Sequence, residues 1–160
     1  MEQHVKQNDK ALYDDIQRIG CFFRSCGLVA EYKTGKRLNV TQINNTWDWA
    51  KNTRRIDGNN NVRDSASIIN RFLRVLGDNM GSIIEVGTFK DGKTTFYPYY
   101  QKHRADLCRA DFLIQKIRQN GPSGTHFRLV DKLGNLIEDP HEPVINVKGI
   151  EYSILYAYAE

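Results

Sequence analysis

The sequence predicts an α+β protein in which helices come first and an antiparallel sheet follows. Three observations carry this expectation. Residues 1 to 80 repeat apolar side chains at spacings of three and four, whereas residues 81 to 160 carry short alternating runs broken by turn residues. At 160 residues and 40% hydrophobic content there is enough apolar material for a real interior. A chain of this length is expected to form a single domain, 1–160, with a helical part (1–80) and a sheet part (81–160).

The elements follow in order. Leu12, Ile16 and Ile19 form one stripe on a helix from Asp9 to Ile19, which Gly20 breaks. A second helix runs from Cys21 through Phe22, Leu28, Val29 and Tyr32 to Thr34, with Gly35 as its stop. Thr41 is placed to cap a third helix holding Ile43, Trp47 and Ala50; Asp57-Gly58-Asn59-Asn60-Asn61 then marks a loop. Asp64 or Ser65 caps a fourth, with Ile68, Ile69, Phe72, Leu73 and Leu76 inward and Gly77 at its end. Strands are expected at Ser82–Val86, Thr94–Tyr100, Ala110–Ile117, His126–Asp131, from Leu136, and at Tyr152–Tyr158. Periodicity alone leaves Ala110–Ile117 open between helix and strand; the Asn120-Gly121-Pro122-Ser123-Gly124 loop after it favours strand.

Charge and cysteine usage narrow the function classes. Lys and Arg number 23 against 19 Asp and Glu, a net charge of +4 without a block of like charges, which argues against nucleic acid as partner. No apolar run approaches the roughly 20 residues of a membrane span, and Met1-Glu2-Gln3-His4 opens a polar stretch rather than a secretory signal. Three cysteines at uneven spacing do not make a disulfide framework. The expectation is a cytoplasmic protein without membrane contact.

Cys21 is the first candidate for chemistry. It follows a glycine and opens an amphipathic helix, where unpaired N–H groups and the helix dipole favour a thiolate. A thiolate nucleophile needs an imidazole, and the imidazole an orienting acceptor. His4 and His103 lie in polar or charged runs and are expected to be solvated, and His141 sits in a turn. His126 opens a strand after the glycine-proline loop, and Asp139 ends the neighbouring strand beyond a turn at Gly134, so hairpinned strands bring the two side by side. Gln17, four residues before Cys21, offers an amide donor that, with the Cys21 N–H, would hold an oxyanion.

The order of Cys opening a helix, His opening a strand and Asp closing the next resembles the papain-like cysteine peptidase fold. The likeness is nearer to its compact bacterial branch, which includes bacteriocin-leader peptidases and similar phage or prophage proteins. It rests on Ile16-Gln17-Arg18-Ile19-Gly20-Cys21-Phe22-Phe23-Arg24-Ser25, Tyr32-Lys33-Thr34-Gly35-Lys36, Thr125-His126-Phe127-Arg128-Leu129-Val130 and Gly134-Asn135-Leu136-Ile137-Glu138-Asp139-Pro140. The first segment is also similar to an uncharacterised family carried by phages and by spirochaete and other bacterial genomes. The resemblance implies Cys21 as nucleophile, His126 as base, Asp139 as orienter and Gln17 as oxyanion donor, with no cofactor. Small residues commonly follow the cysteine in that branch; Phe22 and Phe23 follow here, and either narrow the cleft or belong to the core.

Sharper alternatives are weaker. Cys21, Cys26, His103 and Cys108 are zinc-ligand types, but five positions along a helix rotate Cys26 about 140° from Cys21. Phe96-Tyr97-Pro98-Tyr99-Tyr100 beside Lys102, His103 and Arg104 reads as a strand with core-facing aromatics before it reads as a base-stacking surface. Trp47 and Trp49 cannot share one helix face, so one is expected to mark a contact surface. The expected function is a small cysteine hydrolase acting on a peptide or protein through Cys21, His126 and Asp139. The alternative is a catalytically silent, phage-type accessory or inhibitor protein that uses the same fold to bind a host protein or nucleoprotein complex.

Overall fold

A computed structural model describes residues 3–90, 109–119, 125–141 and 147–159. Four helices, α1 (Asp14–Ile19), α2 (Cys21–Thr34), α3 (Val40–Asn52) and α4 (Ser65–Val75), precede five strands, β1 (Ser82–Lys90), β2 (Phe112–Gln119), β3 (Thr125–Asp131), β4 (Leu136–Glu138) and β5 (Val147–Ala159). The class is α+β, with the sheet antiparallel throughout in the order β1-β5-β2-β3-β4. The expected strand at Thr94–Tyr100 lies outside the described residues, as do His103 and Cys108.

Local signals account for most helix ends. Gly35 closes α2 at φ 70° and donates its N–H to the Glu31 carbonyl, a left-handed cap that a side chain would strain. The Asp64 side chain caps α4 by accepting from Ser67 N at 3.1 Å. Two ends differ from expectation. α1 begins at Asp14 rather than Asp9, because the Asp9 carbonyl and carboxylate take the N–H groups of Leu12 and Ala11 into a tight turn. α3 is capped by Asn39, not Thr41: Asn39 accepts from Gln42 N at 2.8 Å while Gln42 accepts from Asn39 N at 2.9 Å. This is a reciprocal capping box.

The sheet follows the pleat. On β2, Phe112 and Ile114 join the main core with Phe23, Leu28, Phe72, Leu129, Ile154 and Tyr156, while Leu113 between them joins Ala110, Val130 and Leu155 in a second cluster. β5 reaches back to Val147, well before the expected Tyr152, and pairs with β1 on one side and β2 on the other. β1 runs past Val86 to Lys90 through a register irregularity between Glu85 and Gly87.

A two-pronged ion pair joins the two halves, beside a buried one within α2. Arg24 and Glu31, both on α2 and both shut off from solvent, meet at 3.0 Å, and Glu31 also accepts from Leu38 N at 2.9 Å. Arg37, just beyond α2, binds both oxygens of Glu138 at the end of β4, at 2.9 and 2.5 Å. The helix that begins at Cys21 is thereby tied to the strand that ends beside Asp139. Among the described residues, no helix is long and apolar enough to cross a membrane.

Candidate active site

α1 and α2 meet at Gly20 without an intervening loop: Gly20 N–H donates to the Ile16 carbonyl at 2.9 Å, and Arg24 N–H to the Gly20 carbonyl at 2.7 Å. A Cβ on Gly20 would lie 2.5 Å from the Ile16 oxygen and 2.7 Å from its Cα. Glycine is therefore required where the chain turns from α1 into α2 tightly over the Ile16 backbone. The junction sets Cys21 as the first residue of α2, half-buried, with the positive end of the helix dipole at its backbone.

His126 is the second residue of β3, and Asp139 is the residue after β4. Their exposures are 4% and 2%, and Nε2 of His126 lies 2.7 Å from Oδ1 of Asp139. That carboxylate oxygen also accepts the His141 N–H at 2.8 Å, which fixes its direction. Cys21 interacts electrostatically with the same imidazole. With Nε2 committed to Asp139, Nδ1 is the nitrogen left to face sulfur. Burial alone would push the His126 pKa down; the hydrogen bonds from Asp139 and Cys21 and their negative charges oppose it and carry it up to about 9. The imidazole is thus favoured as a cation beside the Asp139 carboxylate.

The other expected residues are placed as follows. Gln17, half-buried on α1, gives one amide N–H to the Leu12 carbonyl at 2.7 Å, and its own carbonyl accepts from the Gln7 side chain at 3.3 Å. The amide is thereby turned toward Leu12, and Gln17 is not among the residues that line the cleft described below. Cys26 is fully buried in the core, where burial drives its thiol well above the ordinary range. Phe22 and Phe23 both line the cleft described below, and both pack on the core, Phe23 the deeper. Phe23 packs in the core against Trp47 and Phe72, while Phe22 stacks on Phe127 at 4.4 Å beside the thiol. Among the described residues, no group of three or more His, Cys, Asp or Glu could hold a metal ion.

His4 corrects the expectation of a solvated leader. It is 7% exposed, its Nε2 donates to the Asp139 carbonyl at 3.0 Å, and its Nδ1 lies 3.5 Å from Glu138 Oε2. Gln7 N–H donates to the Pro140 carbonyl at 2.6 Å. The first described residues therefore strap down the turn that carries Asp139. No local pattern announces this, since the strap pairs residues 135 apart in sequence.

A cleft of about 270 Å³ is lined by Phe22, Thr125 and Phe127, the chain neighbours of Cys21 and His126, and by the polar side chains of Asn60, Asn61 and Lys116. Ile19, Phe22, Phe127 and Tyr152 form its apolar walls, and Lys116 lies at 5.3 Å over the Tyr152 ring and 5.8 Å over that of Phe127. Burial raises the Tyr152 pKa, and the nearby charges of Glu151 and Cys21 add to it, which puts this ring within electrostatic reach of the nucleophile. The alternation on β2 could have found Lys116, since it shares the helix-facing side with Phe112 and Ile114. Comparison with family models, curated proteins and solved structures finds no match to this chain.

Proposed function

We propose that this protein is a small papain-like cysteine hydrolase, acting on peptide or protein substrates without a cofactor. The observation that carries the reading is the buried His126 imidazole, bonded to Asp139 at 2.7 Å and coupled to Cys21, with the chain neighbours of Cys21 and His126 lining a cleft. Three groups of these types, drawn from α2, β3 and the end of β4, rarely converge for packing reasons alone. Their chain order is also that of the papain-like resemblance.

The Cys21 thiolate attacks the carbonyl carbon, and the carbonyl π electrons move to oxygen. The Cys21 N–H holds that oxyanion. Collapse of the intermediate breaks the C–N bond, and the imidazolium gives its proton to the leaving amine. Water then attacks the thioester, with neutral His126 taking its proton, and the acid leaves as the thiolate returns. Asp139 holds the imidazole by Nε2 throughout.

Residue-resolved alkylation by iodoacetamide across pH, on wild type and His126→Ala, tests the reading. Cys21 is expected to react fast well below pH 8 in the wild type and to slow at least tenfold at pH 6 in the variant, a change of about 1.4 kcal/mol in thiolate formation. A Cys21 that titrates near the ordinary 8.5, with or without His126, refutes it. The fold would then be read as the binding scaffold of an accessory protein.

A further inference from the structure

Away from Cys21, a second, shallow groove of about 270 Å³ lies between α3 and α4, lined by Trp49, Arg55, Ser67, Asn70, Arg71 and Arg74. Three arginines and no carboxylate line it. The Arg55 and Arg71 guanidiniums stand 4.9 and 5.1 Å from the centre of the Trp49 ring, which orients their planes without neutralising them. Arg74 is held by two backbone carbonyls, those of Asp78 at 2.5 Å and Gly81 at 2.7 Å, so it too keeps a full charge. The carboxylate nearest Arg55 is Asp64, at 4.0 Å, and Asp64 is already engaged by the N–H and hydroxyl of Ser67. Arg55 Nε is closed off from solvent and has no hydrogen-bond partner, a costly state for a donor on a cation. Arg71 is exposed and has no carboxylate partner among the described residues.

The groove is preformed as well as charged. Asn70 bonds both backbone groups of Ile83, at 3.0 and 2.7 Å. The segment bearing Arg55 is a tight hairpin closed by the Ile56–Val62 bridge and pinned by Lys51 on the Asp57 carbonyl and Asn60. Little ordering cost remains for a ligand to meet. Asn60, Asn61 and Val62 of the same hairpin wall the cleft lined by Phe22 and Phe127, so one rigid element separates the two depressions.

We propose that this groove is a docking site for a short acidic segment of a partner polypeptide, whose carboxylates bind the Arg55 and Arg71 guanidinium edges in the planar, two-pronged manner that arginine favours. Three cations confined to one short groove match a few carboxylates. A nucleic acid would need a longer basic track, and Asp64 stands 4.0 Å from Arg55 at the edge of this one. The site stands on its own residues and does not depend on the thiol chemistry.

The test is fluorescence anisotropy of a fluorescein-labelled hexaglutamate peptide titrated with the full chain at low salt. A seven-nucleotide oligothymidylate and inorganic phosphate serve as unlabelled competitors. Saturable binding is expected, weakened at least about tenfold by Arg71→Gln and by Arg55→Gln, and unchanged in Cys21→Ala. Both arginines are partly or fully exposed, so neither change threatens the core; Lys132→Gln, on the distant β3–β4 turn, controls for net charge. Absence of binding, or equal weakening by Lys132→Gln, overturns the proposal. An oligothymidylate that displaces the peptide at lower concentration and needs the same two arginines replaces the acidic-peptide assignment with a nucleic-acid one. Displacement by a few millimolar phosphate shows an unspecific anion site and also refutes it.

Discussion

Asp139→Asn is the most informative single change, because it removes a charge while keeping a side chain of the same shape. Folding raises the His126 pKa from 6.5 to about 9, which corresponds to roughly 3 kcal/mol favouring the imidazolium. That gain is shared between Asp139 and Cys21, each through a hydrogen bond and a charge. In the variant an amide oxygen can still accept from Nε2, as the 2.7 Å contact requires, but the negative charge is gone. Removing about half the gain lowers the imidazole midpoint by roughly one pH unit, which leaves the imidazolium dominant at pH 7 and cuts its population about threefold near pH 8.5. The sign for stability follows. A raised histidine pKa stabilises the fold fully below pH 6.5, and that contribution is lost as pH rises through about 9. Wild type should therefore lose more stability than the variant between pH 6.5 and 9. The assay is an NMR titration of the His126 ring, paired with Cys21 alkylation rates and urea unfolding at pH 6 and 9. A wild-type midpoint at or below 6.5, or a variant midpoint within about 0.3 units of wild type, refutes the assignment of Asp139 as the charge partner.

Three further predictions follow from the same framework. Gly20→Ala forces the α1–α2 junction apart, because its Cβ meets the Ile16 backbone at 2.5 Å; thermal or urea unfolding should show a loss of about 1–3 kcal/mol, with slower Cys21 alkylation as the helix start shifts. Glu31→Ala strands the buried Arg24 guanidinium and the Leu38 N–H, and should cost about 3–5 kcal/mol by urea unfolding. Burial works to raise the Glu138 pKa, but the His4 and Arg37 bonds hold it at about 2. A depressed carboxylate contributes stability above its unfolded value of 4.5 that is lost as pH falls through about 2. Glu138→Gln should therefore flatten the acid limb of the unfolding curve by about 2 kcal/mol, allowing for partial exposure.

The parts of the site that were legible in the sequence are those fixed by short-range geometry. Cys21 could be placed at a helix start because Gly20 and Gly35 bracket the apolar repeat, and α2 spans Cys21–Thr34 as the spacing indicates. His126 and Asp139 could be paired because only the hairpin at Gly134, with its φ of 88°, separates their strands. The role of Gly20 was legible only as small size. Its reason, contact with the Ile16 backbone, depends on how two helices meet.

What the sequence by itself determined is the α+β class, the bounds of α2 and α4 to within a residue or two, and the hairpin that carries the imidazole and the carboxylate. Each is decided by residues a few positions apart, through caps, turns and side-chain periodicity. What only the tertiary structure decided is where distant segments come together. β5, the last strand, lies between β1 and β2; His4 closes on Asp139; Phe22 stacks on Phe127 while Phe23 meets Trp47 and Phe72; and Arg55 and Arg71 converge on Trp49. The physical reason is that burial is non-directional and rewards any apolar surface removed from water, so it leaves the choice of long-range partner to the packing of the whole chain.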